Sequence, residues 1–277
     1  MDVLELPRER TDELKGFLSK DPFQHLYALG MLEEHGVGGG VSGRTLAFHA
    51  LLDDGKLAAV AMVGGAGGLV IPCAADPAMC AELGRQLSGK LKLRGVLGEK
   101  ANVDAFLRAL ACGPARWSRP QKLFVASADD LGPFVTPELR PAVASDLPQL
   151  VAMSAAALRE AIGEDPLAHD PGSFNRRIEA RVAAGRTWVL PEAGKLVVKI
   201  DVGARSRFGA ELEGLYTLPE ARRRKLATKA LGQLCRSLLS SLPRLAMRVD
   251  EKDVGLAATC RHVGFSVSRL QRLVVVG

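Results

Sequence analysis

The sequence has 277 residues, 47% hydrophobic and 25% charged, which is enough to bury a sizeable core and lies near the length at which one domain becomes two. Its formal net charge of +6 is concentrated in the second half: residues 138–277 hold 22 Lys and Arg against 15 Asp and Glu, while residues 1–137 hold 15 against 16. That balance calls for a phosphorylated cofactor or another polyanion. No run of about 18 apolar residues occurs and Met1–Glu5 carries neither a basic nor an apolar region, so the expectation is a soluble cytoplasmic protein without a spanning helix or signal peptide.

In chain order, Thr11–Ser19 reads as a helix capped by Thr11, with Leu14, Phe17 and Leu18 at helical spacing. A second helix is predicted from Asp21-Pro22 to about His35, the proline falling in its first turn. Strands follow at Thr45–Leu52 and Leu57–Val63, joined by the hairpin signal Asp53-Asp54-Gly55. A further strand at Leu69–Pro72 precedes a helix that starts near Asp76-Pro77. Between Cys112 and Glu138, prolines at 114, 120, 133 and 137 replace helical periodicity. The linker is placed at 127–137, with Lys122–Ala126 as a strand that completes a first domain of residues 1–126.

The second domain, 138–277, replays the order. Leu139–Ala142 reads as a short strand, Ser145-Asp146-Leu147-Pro148 as the cap of a helix reaching Ile162, and Phe174–Ala184 as a second helix ended by Gly185. Strands are predicted at Thr187–Leu190, Lys195–Val202 and Ala210–Thr217, then a long helix from Ala221 to Leu239. A strand Leu245–Val249, a helix Val254–His262 and a terminal strand Arg269–Val276 complete it. Two copies of one mixed α/β unit account for the length.

Five cysteines without a CxxC pair, and five histidines without an HxH or HExxH arrangement, suggest neither a disulfide framework nor a metal site. The GxGxxG match at Gly38–Gly43 follows a helix and precedes a strand, the reverse of a dinucleotide site. Gly64–Gly68 falls between two strands and reads as a turn.

The run from Glu213 through Tyr216, Pro219 and Arg222-Arg223-Arg224-Lys225 to Thr228 has the opposite context, strand to loop to helix. There the free N–H groups and the positive end of a helix dipole converge with four basic residues, which suits a pyrophosphate. This pattern is strand, Pro219, Arg222, Lys225 and Ala227, followed by a long helix, a strand and the residues Asp250, Asp253 and Gly264-Phe265. It resembles the GNAT N-acetyltransferase superfamily. The whole chain resembles the tandem bacterial members, in which a diverged GNAT-like half precedes a more recognisable one. The implied fold class is α/β (mixed α+β): two tandem GNAT-like domains, each a mixed, mostly antiparallel sheet flanked by helices.

The resemblance implies acetyl-CoA as cosubstrate, provided the loop with Lys225 admits it, and no metal. Its pyrophosphate would be wrapped by Arg222, Arg223, Arg224, Lys225, Leu226, Ala227 and Thr228. Its pantetheine arm would pair with the backbone of Leu215 and Thr217, with Tyr216 between them a further cofactor-binding candidate. Two positions depart from the family pattern: Lys225 stands where glycine is usual, and Cys260 where a tyrosine acid is frequent. A thiol is able to donate a proton, while a cysteine in a helix is also ordinary packing.

For a general base, the two-residue period of a strand puts Glu211, Glu213, Leu215 and Thr217 on one face. Glu211 also matches the glutamate of the histone-acetylating branch of the family. Glu160 and Glu164 close the helix bordering the acceptor pocket and are candidates for binding a cationic amine, whether on a small molecule or a protein. Arg176, Arg177 and Arg181 read as a solvated helix face. The leading function is direct acyl transfer to an amine. A catalytically degenerate binding or regulatory module with a protein partner is the alternative. Nucleic acid ranks last, because two Trp and two Tyr provide no stacking platform.

Overall fold

The computed structural model describes residues 1–41, 44–64, 68–91, 93–110 and 112–276. The first half runs β1 (Asp2–Glu5), α1 (Thr11–Leu18), α2 (Leu26–His35), β2 (Gly40–Val41), β3 (Arg44–Thr45), β4 (Ala47–Asp53), β5 (Lys56–Gly64), β6 (Leu69–Cys73), α3 (Pro77–Leu87), β7 (Gly95–Glu99), α4 (Lys100–Leu110) and β8 (Ala115–Ala126). The second half runs β9 (Arg140–Pro141), α5 (Leu147–Ile162), α6 (Pro166–His169), α7 (Pro171–Ala183), β10 (Thr187–Glu192), β11 (Lys195–Ser206), β12 (Gly209–Thr217), α8 (Leu226–Leu239), β13 (Leu245–Asp250), α9 (Val254–Val263) and β14 (Ser266–Val276). Each half is a mixed sheet flanked by helices, parallel only at β6–β7 and β12–β13.

Local chemistry explains several boundaries. Asp54 and Gly55 take φ of 47° and 77°, the left-handed pair that a two-residue hairpin between β4 and β5 requires. Asp76 accepts from the Ala78 N–H with Pro77 in the first turn, so α3 starts where the residues predict. Helix α2 begins at Leu26 rather than Asp21, because residues 21–25 are taken up in turns, with Asp21 accepting from the Gln24 N–H. Gly38–Gly43 and Gly64–Gly68 fall partly outside the described residues, at 42–43 and 65–67.

The sequence pattern does not reveal β1, β7 or α4, nor the full length of β8. Two glycines interrupt the apolar run of β7, and α4 follows it directly without a capping residue. Pro120 hides β8. Its carbonyl accepts from the Glu251 N–H, so its nitrogen faces the same side, just past the last residue pair with β13, where no donor is needed.

Among the described residues one twelve-stranded sheet runs through both halves in the order β1-β4-β5-β6-β7-β14-β8-β13-β12-β11-β10-β9. The last strand of each half lies beside the other half: β8 pairs with β13, and β14 with β7. Alternating residues serve the two faces. Phe48, Ala50, Val60 and Met62 pack under α1 and α2, while Leu51, Ala59 and Ala61 pack under α3 and α4. In the second half, α8 and α9 cover one face and α5 and α7 the other.

The two halves are further tied by α2, which also packs on β11 and β12. Gly30 makes this possible: a Cβ there would lie 2.8 Å from Ala204 Cβ and 2.9 Å from Arg205 N. Segment 127–137 is held against the second half as well, since Gly132 N–H donates to Val263 O and its carbonyl accepts from Arg236 at 2.6 Å. No helix among the described residues is long and apolar enough to cross a membrane.

Candidate active site

The site begins where two strands part. β12 and β13 pair only over Ala210–Leu212 against Leu245–Met247, and beyond Leu212 no strand among the described residues meets that edge of β12. On its other side β12 stays paired with β11, but Asp201 faces Glu213 and Lys199 faces Tyr216, so Ile200 opposes two residues. This bulge is centred on Gly214, whose φ of 58° suits glycine. It corrects the expected single face. Glu211 and Glu213 point towards the α7 side, Leu215 packs with the α8 core, and Tyr216 with the α5–α7 core. Leu218 N–H donates to Val197 O, so alternation carries the polar groups of Leu215 and Thr217 to the open edge.

The chain then turns through Pro219–Ala221 into α8. Arg223 and Lys225 take φ of 62° and 59°, a region that costs an L-residue with a Cβ about 1–2 kcal/mol. Lys225 is the N-cap and makes no side-chain cap bond, so the first N–H groups of α8 keep their hydrogens free. Lys225→Gly is expected to stabilise the fold by about 1 kcal/mol, read as a rise in thermal midpoint; a fall would show that the lysine side chain has a packing role.

A cavity of about 600 Å³ joins the open edge of β12, the first turn of α8 and one side of α9. Of the residues singled out for a cofactor, Leu215, Tyr216, Thr217, Arg222, Arg223, Lys225, Leu226, Ala227 and Thr228 all line it. Arg224 does not, because its guanidinium pairs with both oxygens of Glu192 at 2.7 Å. Asp253, noted in the sequence only as part of the pattern, also lines the cavity, and the α9 contribution, which includes Leu256, Thr259 and His262, went unread in the sequence. The helix there is legible, but not which of its faces turns to the cavity.

Solved structures share this architecture end to end. A tandem GNAT protein from the clavulanic acid biosynthesis pathway superposes with a TM-score of 0.59 at 13% identity, covering 100% of this chain and 98% of that one. The chain has the tandem GNAT fold. A GNAT-family acetyltransferase from Colwellia psychrerythraea aligns at 0.57 with 12% identity over 99% and 100% of the two chains. A Drosophila protein aligns at 0.70 with 16% identity over 99% and 98%. No protein-family model and no curated protein matches the sequence. At these identities the likeness carries the GNAT fold and leaves the chemistry to the residues.

Within that fold the candidate catalytic groups are dispersed. Glu211 is 5% exposed, does not line the cavity, and is ion-paired with Arg248. Burial pushes its carboxyl above the usual range, Arg248 opposes this, and Oε2 has no hydrogen-bond partner among the described residues. Glu213 does not line the cavity either, but it is more open, at 38%, and accepts from Arg181 at 2.7 Å. Arg181 is only partly solvated, since it bonds Asp201 at 3.0 Å as well as Glu213, whereas Arg176 and Arg177 are exposed.

Cys260 is fully buried, with Sγ 3.7 Å from Met247 Sδ, and burial pushes its thiol up to about 12. It faces the core and does not line the cavity, a placement that gives the suggested acid role no support. Glu160 accepts from Tyr216 Oη and from Arg222 Nη2, each at 2.7 Å, and these bonds, Tyr216 first, hold its carboxyl below the usual range. It stands between this cavity and a second one of about 660 Å³ against β8. Glu164 lies outside both, 3.3 Å from Arg116. No group of three or more metal-ligating side chains occurs among the described residues.

Proposed function

We propose that the second half is an acetyl-CoA-dependent N-acyltransferase acting by direct transfer to an amine. The observation that carries this reading is the meeting, in one cavity, of the open edge of β12 and the uncapped N-terminus of α8. An exposed strand edge accepts an extended amide-bearing arm, and a free helix N-terminus beside Arg222, Arg223 and Lys225 accepts a pyrophosphate. Two features limit the fit without closing it: Thr217 O already accepts from Arg222 Nε at 3.0 Å, and Arg224 is committed to Glu192. Leu215 and the first-turn N–H groups then carry most of the recognition.

Acetyl-CoA supplies an acyl group already activated as a thioester. The residues of this chain hold and orient it and move one proton. Glu213, the first residue past the last β12–β13 pair, is paired with Arg181 but open to water, and takes that proton through water in preference to Glu211, whose pair with Arg248 is buried. With Cys260 turned to the core, the departing thiolate takes its proton from solvent in the open cavity.

The sealed Glu211–Arg248 pair and the buried Cys260 also favour a second reading, a GNAT-fold module that binds CoA or a protein partner without turnover. Calorimetric titration with acetyl-CoA, followed by assay of free thiol release with a panel of amines, separates the two. Binding with amine-dependent release supports the enzyme. Binding alone supports the module, and no binding ends both CoA readings.

A further inference from the structure

A smaller pocket between α5 and α7 is separate from the cavity at α8 and has a different chemistry. It encloses about 260 Å³, just below the ~300 Å³ at which pockets for drug-sized ligands begin. Its walls are apolar, drawn from Leu150, Ala157, Leu158, Phe174 and Ile178, and its floor is ionic. Lys199 and Asp201 are 4% and 3% exposed, and Lys199 Nζ donates to Asp201 Oδ2 at 2.6 Å.

Asp201 is well partnered, because Arg181 Nη1 and Thr187 Oγ1 also donate to it, at 3.0 and 2.8 Å. Lys199 is not. Among the described residues Asp201 is its one acceptor, which leaves N–H bonds of a buried ammonium unused at the pocket floor. Arg181 is shared between Asp201 and Glu213, so the ionic floor is balanced, and the exposed guanidinium of Arg177 adds one further cation at the pocket rim. Unused N–H bonds of Lys199 at the floor and a guanidinium at the rim, under apolar walls, fit the carboxylate of a small apolar molecule and disfavour a bare amine or a neutral alkane.

Gly214 links this pocket to the other cavity: it lines the one, and the adjoining Leu215 lines the other. A Cβ at Gly214 would stand 2.5 Å from Asp201 Oδ2 and 3.0 Å from Lys199 Nζ, so the ion pair leaves room for nothing larger than glycine there. We propose that this pocket takes the carboxylate and apolar group of the acceptor, an amine of the apolar α-amino acid class, whose amino group then lies towards the Gly214–Leu215 peptide. Only the acceptor role rests on the acyltransferase reading. The transfer forms an amide C–N bond and breaks the thioester C–S bond; one amine proton passes through water to Glu213, and the thiolate is protonated by solvent.

The test is calorimetric titration of the full chain, without acetyl-CoA, with L-phenylalanine, L-leucine and phenylacetate, the last having no amine. Phenylacetate and at least one amino acid are expected to bind. Lys199→Met weakens them about tenfold, the loss of one charged hydrogen bond. Ala157→Phe, which fills the pocket without touching the ionic floor, abolishes binding while a normal thermal midpoint shows that it folds. Absence of binding by all three at millimolar concentration, or affinities unchanged in both variants, overturns the site. Acetyl-CoA titration of the wild type is read independently, so its failure removes the acyltransferase reading and leaves the carboxylate site standing. Carboxylate binding together with acetyl-CoA binding, but with no thiol release on adding the bound amino acid, overturns the acceptor role.

Discussion

Ala227→Asp is expected to lower acetyl-CoA affinity by about 100-fold while leaving the protein as stable as before or slightly more so. The two effects have one origin. Ala227 is the second residue of α8 and lines the cavity at the helix N-terminus. A carboxylate there is favoured by the helix dipole by about 0.3–1 kcal/mol, but it competes with any phosphate for the same N–H groups. Like charges forced together cost several kcal/mol, and about 2.7 kcal/mol corresponds to the 100-fold. Calorimetry gives the affinity and thermal melting the stability. Unchanged affinity in the variant would remove the pyrophosphate from this helix end.

Arg248→Met should destabilise the fold by about 3–5 kcal/mol near neutral pH, the usual penalty for leaving one member of a buried pair without the other. Both partners are buried, with side-chain exposures of 7% for Arg248 and 6% for Glu211, and Met keeps most of the arginine's volume. The loss depends on pH. Burial already raises the folded carboxyl of Glu211, and removing Arg248 removes the effect that opposes the rise. The folded state then binds a proton at Glu211 more readily than the unfolded chain does. The deficit is therefore small below the ordinary glutamate range, grows as pH rises through the raised value, and is complete above it. Urea denaturation across that range measures it. A deficit independent of pH would mean that arginine packing, not the charge of Glu211, is what the variant loses. The double variant Arg248→Met with Glu211→Leu recovers most of the stability, because no buried charge is left.

These two sites differ in how visible they are before folding. The loop at Arg222–Ala227 is written in consecutive residues, and strand, proline, basic run and helix follow one another, so its place at a helix N-terminus needs only local geometry. The Glu211–Arg248 pair joins β12 to β13 across 37 positions. The two-residue period puts Glu211 and Glu213 on one face, yet nothing in that period says which of them Arg248 will meet. Leu215 shows the limit of such reasoning, since one glycine bulge at Gly214 turns it to the opposite side.

By itself the sequence determined the order of helices and strands from α1 to α3 and most of that from β9 to β14, the hairpin at Asp53–Gly55, the basic loop and the departures at Lys225 and Cys260. Each depends on residues within one or two turns of one another, where backbone preference and side-chain periodicity act directly. Only the tertiary structure decided the insertion of β14 between β7 and β8, the packing of α2 on the second half, the inward turn of Cys260 and the ionic floor at Lys199 and Asp201. These arise from contacts between distant segments, fixed by which surfaces bury one another and which charges find partners once water is excluded.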